Sequence, residues 1–121
     1  LTKDARSFSP YFIPMDSTLI YLATHDGGQN IYRIDLKSRK TQRLTNFEDR
    51  RMHSSLAYDE KKNRILFDVT RNHFRDIAYL SLADSTFGLV FANREWDERD
   101  INISAGQLIY ADDRSGVFNL Y

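Results

Sequence analysis

With 121 residues, 41% of them hydrophobic and 13% aromatic, the chain has the apolar material for a core. Its 17 basic and 17 acidic residues cancel, which argues against the concentrated charge that holds nucleic acid or an anionic membrane. Cysteine is absent, so disulfides, thiolate metal sites and Cys nucleophiles are excluded, and no apolar run approaches the roughly 18 residues of a membrane span.

Four short strand-like runs come first in chain order: Tyr11–Ile13 (a), Leu19–Ala23 (b), Ile31–Leu36 (c) and Thr41–Thr45 (d). Between them lie Pro14-Met15-Asp16-Ser17, His25-Asp26-Gly27-Gly28 and Lys37-Ser38-Arg39-Lys40, whose Gly, Asp and Ser residues suit turns. No helical apolar stripe is sustained, and the runs are strand-sized and rich in β-branched and aromatic residues. Run b is apolar on both faces, run c alternates and run d is polar, the gradient expected from a covered inner strand to an exposed rim.

The pattern then returns. Leu19-Ile20-Tyr21 and Ile31–Leu36 reappear 46 positions later as Ile65-Leu66-Phe67 and Ile77–Leu82, after a looser strand a at Ala57–Glu60. Strand d of this unit, with Phe87, Leu89, Val90 and Phe91, is greasier, so its rim is expected to be covered. A third copy follows at a step of 43, as Ile101-Asn102-Ile103, Leu108–Ala111, a hairpin over Asp112–Gly116, and Asn119-Leu120-Tyr121. Gly116 matches Gly27 in phase, whereas the second unit has Arg71-Asn72-His73-Phe74 at that turn.

A period in the low-to-mid forties with four short strands per unit predicts an all-β fold, a β-propeller fragment of four-stranded antiparallel blades. The whole of 1–121 is expected to be part of one propeller domain: a blade tail at 1–2, blades at 7–45 and 55–91, and a partial blade at 98–121. Two full repeats with partial flanking ones cannot close a ring, so a larger protein is expected.

In an up-and-down blade the b–c turns and the d-to-a connections emerge at one end. That end collects His25, His53 and His73, all the histidines, with Arg50, Arg51, Arg71, Arg75, Phe74 and Trp96. The candidate protein-binding face is therefore Arg50, Arg51, His53, Arg71, His73, Phe74, Arg75 and Trp96, since Arg and aromatic residues supply most interface hot spots. The alternative is local pairing with acids of the same end, among them Asp49, Asp76, Asp97, Asp112 and Asp113. No local ligand spacing supports a metal site, no cofactor motif is present, and no catalytic signature such as Gly-x-Ser-x-Gly or His-Glu-x-x-His occurs. Asn102-Ile103-Ser104 is a formal glycosylation sequon, expected at a buried strand end.

Ser9-Pro10-Tyr11-Phe12-Ile13-Pro14-Met15-Asp16, Ile31-Tyr32-Arg33-Ile34-Asp35-Leu36 and Leu44-Thr45 resemble the WD40-like blade of the TolB family, a repeat also found in the propellers of prolyl oligopeptidase-type peptidases. Met15 intrudes in the first stretch, and Ser17 stands where the repeat has Gly. The resemblance implies a propeller and, by analogy with TolB, a periplasmic or other extracytoplasmic assembly. Two functions are open: a non-enzymatic scaffold that binds protein partners, or the propeller of a serine peptidase whose catalytic domain is not in this chain.

Overall fold

The computed structural model describes residues 1–121 except 3, 4, 50, 72 and 92–94, and the side chain of Arg71. The chain forms two compact units, Leu1–Met52 and His53–Tyr121.

The first unit is one antiparallel sheet in the order β1 (Arg6–Ile13), β2 (Thr18–His25), β3 (Gly28–Asp35), β4 (Thr41–Arg43). Its β2–β3 turn places Asp26 and Gly27 at φ +50° and +81°, the paired left-handed conformation that a two-residue hairpin needs. Strand β1 begins five residues earlier than the apolar run Tyr11–Ile13 indicates. A bulge between Phe8 and Tyr11, with Ser9 at φ +48°, lets the strand pass Pro10, which lacks an N–H and is tolerated at this sheet edge. Strand β2 is buried along both faces through Ile20, Tyr21, Leu22 and Ala23, as its unbroken apolar run requires. Strand β4 is exposed and shorter than expected, ending at Arg43.

The second unit holds two sheets. One is β5 (Leu56–Asp59), β6 (Arg64–Arg71), β7 (Phe74–Ser81) and β8 (Phe87–Leu89) in that order, and the other is β9 (Glu98–Ser104), β10 (Gln107–Asp112) and β11 (Asn119–Leu120), with β10 central. Glu60 belongs to a 3-10 turn rather than to β5, because the Asp59 side chain caps that turn at the Lys62 N–H. Ile65, Leu66, Phe67, Val69, Ile77 and Ala78 form the buried centre of the first sheet, and β9 packs against β5, β6 and β7. Phe87 remains exposed at the rim, although its ring centroid lies 5.9 Å from that of Phe67.

The repeat is reproduced strand for strand. Leu19–Ala23, Ile65–Val69 and Leu108–Ala111 fall in β2, β6 and β10, the second strand of each sheet in chain order.

Candidate functional site

Each unit ties its b–c hairpin to the connection that leaves or enters the sheet, through a buried polar side chain. In the first unit this is Asn30. Its Oδ1 accepts from the Thr45 hydroxyl at 2.9 Å and the Phe47 N–H at 2.7 Å, while its Nδ2 donates to the Phe47 carbonyl at 3.2 Å. Thr45 in turn accepts the Ile31 N–H at 2.9 Å. A Cβ at Gly28 would lie 3.1 Å from the Phe47 carbonyl oxygen, so any larger residue there presses on this link.

In the second unit Asp68, on buried strand β6, accepts from the Ser54 and Ser55 N–H groups at 2.7 and 2.8 Å and from the Ser54 hydroxyl. His53 donates from Nδ1 to the Asp68 carbonyl at 2.8 Å and packs edge-on against Phe67. Asp97 does the equivalent work further along: its carboxylate accepts the Arg75 N–H at 2.8 Å, and its own N–H donates to Asp113 at 2.8 Å. Asp97 thereby joins the β6–β7 hairpin, the 95–97 connection and the β10–β11 hairpin at one end of the unit. At the other end Lys61 lies across Gly106 of the β9–β10 turn.

The sequence-predicted face divides accordingly. Arg50 lies outside the described residues, as does the side chain of Arg71. Arg51 belongs to the first unit, where it pairs with Asp49 and stacks 4.4 Å from the Phe47 ring centroid. His53 is a correction: at 3% exposure it is a core residue, drawn inward by the Asp68 carbonyl and the Phe67 ring, and presents no surface. His73, Phe74, Arg75 and Trp96 share the hairpin end of the second unit. His73 has φ +75° where Gly27 and Gly116 have +81° and +84°, so the hairpin keeps its left-handed turn without glycine.

Among the described residues, several charges at this end are paired locally. Arg75 lies 3.7 Å from the Asp68 carboxylate, Arg99 lies 3.4 Å from Asp100, and Arg114 grips Asp112 while donating to the Tyr110 hydroxyl at 2.9 Å. Those bonds hold the Asp112 carboxyl below the usual range. Beside them stand exposed apolar side chains: Phe74 and Phe118 are each 40% exposed and Val117 is 65% exposed. Arg99 stacks 3.6 Å from the Phe118 ring centroid, and Arg114 sits 4.0 Å from Tyr121 and 5.8 Å from Trp96. Val117 and Phe118 escape sequence reasoning because their counterparts in the first unit are Gly28 and Gln29; only their place beside the Gly116 turn marks them. The sequon lies elsewhere on β9, and Asn102 and Ser104 are exposed rather than buried. Among the described residues no group of three or more His, Asp or Glu side chains is arranged to hold a metal ion.

No protein-family model and no curated protein matches the sequence. Among solved structures, an assigned TolB from Agrobacterium tumefaciens is similar with a TM-score of 0.78 at 20% identity, over 98% of this chain and 42% of that one. The fold is that of β-propeller blades. At this identity the likeness speaks for the fold alone, and the chain spans less than half the length of the structure it matches. Among the described residues no helix is long and apolar enough to cross a membrane.

Proposed function

We propose that this chain is a non-enzymatic propeller module that binds a protein partner through the hairpin end of its second unit, by way of His73, Phe74, Arg75 and Trp96 together with Val117 and Phe118. The observation that carries the reading is the pairing of exposed apolar tips with a rigid base. Phe74, Val117 and Phe118 stand open to solvent, while Asp97, Asp113 and Arg114 fix the hairpins beneath them. Clustered exposed aromatic residues on an ordered base are what interface anchors require. With Arg75, Arg99 and Arg114 each beside an acid, the contact is apolar at its centre and polar at its edge. The TolB-like blade supports a place in an extracytoplasmic assembly, the periplasm in a two-membrane bacterium.

The test is site-specific photo-crosslinking in cells, with the photoreactive residue at Phe74 or Phe118 and, as controls, at Lys61 or Ala105 at the opposite end. Protein adducts are expected at the first pair only, and purified partner should bind the Phe74→Ala variant at least ten-fold more weakly. Adducts confined to the control positions would place the face at the wrong end. A longer form of the protein that hydrolyses peptides through its own serine nucleophile would replace the scaffold reading with the peptidase one.

A further inference from the structure

Asp59, Asp68, Asp76, Glu98 and Asp112 are all buried in the second unit. Asp59 is held by Arg64 at 3.0 Å, Asp68 by the Ser54 and Ser55 amides with Arg75 nearby, and Asp112 by Arg114. Glu98 is different. Only 2% exposed at the start of β9, it reaches across to the neighbouring sheet and accepts the Ile77 N–H of β7 at 3.3 Å, a neutral donor in place of a cation.

The Ile77 N–H by itself favours the ionised form, but burial and two neighbouring carboxylates, one of them directly across the β9–β10 pair, outweigh it. Asp76 on β7 and Asp112 on β10 both oppose its charge, and Arg114, which favours it, is already bonded to Asp112. Asp68 on β6 and Asp59 on β5, the acids of the other two strands packed on β9, are occupied by Ser54 and Ser55 and by Arg64. Arg99, its neighbour on β9, faces Phe118 and Asp100.

We propose that Glu98 is a proton-operated latch on the seam between the β5–β8 and β9–β11 sheets. Neutral, it sits against the Ile77 amide and holds the start of β9 in place; ionised beside Asp76 and Asp112, it loosens β9 and the Glu95–Asp97 connection. Desolvation first, then the two neighbouring carboxylates, push its pKa up to about 7, so the latch operates near neutral pH. The acceptor role explains why a carboxyl group is kept at this buried place: Phe91, which occupies the phase of Thr45, offers the Ile77 N–H no side-chain acceptor.

The experiment is a pH titration of the intact protein from 5 to 8.5 by amide NMR, following the Ile77 and Asp97 N–H signals and the hydrogen-exchange rate of Ile77 relative to its intrinsic rate. Both signals are expected to titrate with a midpoint near 7, with at least a ten-fold loss of protection at Ile77 above it, and Glu98→Gln should abolish both changes. An Ile77 signal that stays flat over the range, or a titration that persists in Glu98→Gln, overturns the latch. Should the variant fail to fold, the carbon-13 carboxyl shift of Glu98 in the wild-type protein decides: a midpoint below pH 5.5 overturns the proposal equally.

Discussion

Glu98 stands in the second unit where Thr45 stands in the first: each supplies the side-chain oxygen that takes the N–H of an isoleucine on the third strand of a four-stranded sheet, Ile77 in one case and Ile31 in the other. A hydroxyl can do this at any pH, but a buried carboxyl group cannot. The Glu98 pKa in the folded chain lies near 7, above an unfolded value of 4.5, so the native state holds the proton more tightly. Its contribution to stability is therefore present in full below about pH 4.5 and is lost as the pH rises through about 7. Glu98→Gln is expected to remove that slope and to exceed the wild type at pH 8 by on the order of 2 kcal/mol. Denaturant titrations at pH 5, 6, 7 and 8 measure it; equal slopes in both proteins would show that Glu98 does not titrate in this window.

Asp68 is expected to be the most costly single truncation in the second unit. Asp68→Ala leaves the Ser54 and Ser55 N–H groups without their acceptor and Arg75 without its neighbouring charge, a loss of about 3 kcal/mol or more. Asp68→Asn keeps one acceptor oxygen and should cost less. Urea unfolding of the two variants tests the order, and a smaller loss in Asp68→Ala than in Asp68→Asn would contradict the assignment.

His73→Gly separates folding from recognition. The left-handed turn at φ +75° is easier for glycine, so stability should hold or rise by up to about 1 kcal/mol, while partner affinity falls because an exposed contact is gone. Thermal melting and a binding isotherm on the same sample give both numbers. Lower stability would mean that the His73 ring contributes to folding.

Strand β11 is an edge of its three-stranded sheet, and its Leu120 is 76% exposed. Expressed as residues 1–121 alone, the chain should therefore associate or aggregate. Light scattering coupled to size-exclusion chromatography checks this, and a monomer that melts cooperatively would show that the open edge is tolerated.

The strands were legible because their signals are local: Leu19-Ile20-Tyr21, Ile65-Leu66-Phe67 and Leu108-Ile109-Tyr110 are β-rich triplets bounded by turn residues and repeated in phase. The start of β1 was not, because Arg6–Ser9 has no apolar run and the bulge that carries it past Pro10 depends on the backbone of Ser9. The hairpin end of the second unit was also legible, as Phe74 and Trp96 could be placed there from topology. Its anchoring was hidden, since Asp97, Asp68 and Glu98 act through backbone N–H groups far away in sequence, and a role filled by Thr45 in one repeat is filled by Glu98, from the following strand, in the next. His53 was expected on the surface for the same reason: a histidine in the connection before a strand looks exposed until its carbonyl partner is known.

Arg114 spends its hydrogen bonds on Asp112 and Tyr110 of β10 and its flat face on Tyr121, the residue just after β11. The residues that follow it are tied back to that base through their polar groups, the Asn119 amide donating to the Ser115 hydroxyl and the Val117 carbonyl and the Gly116 N–H to the Asp113 carbonyl, which leaves the Val117 and Phe118 side chains as the exposed tip. Such a tip is a natural site of divergence: its sequence can drift, or be exchanged for that of another hairpin, and change what the surface recognises while the blade beneath keeps its form.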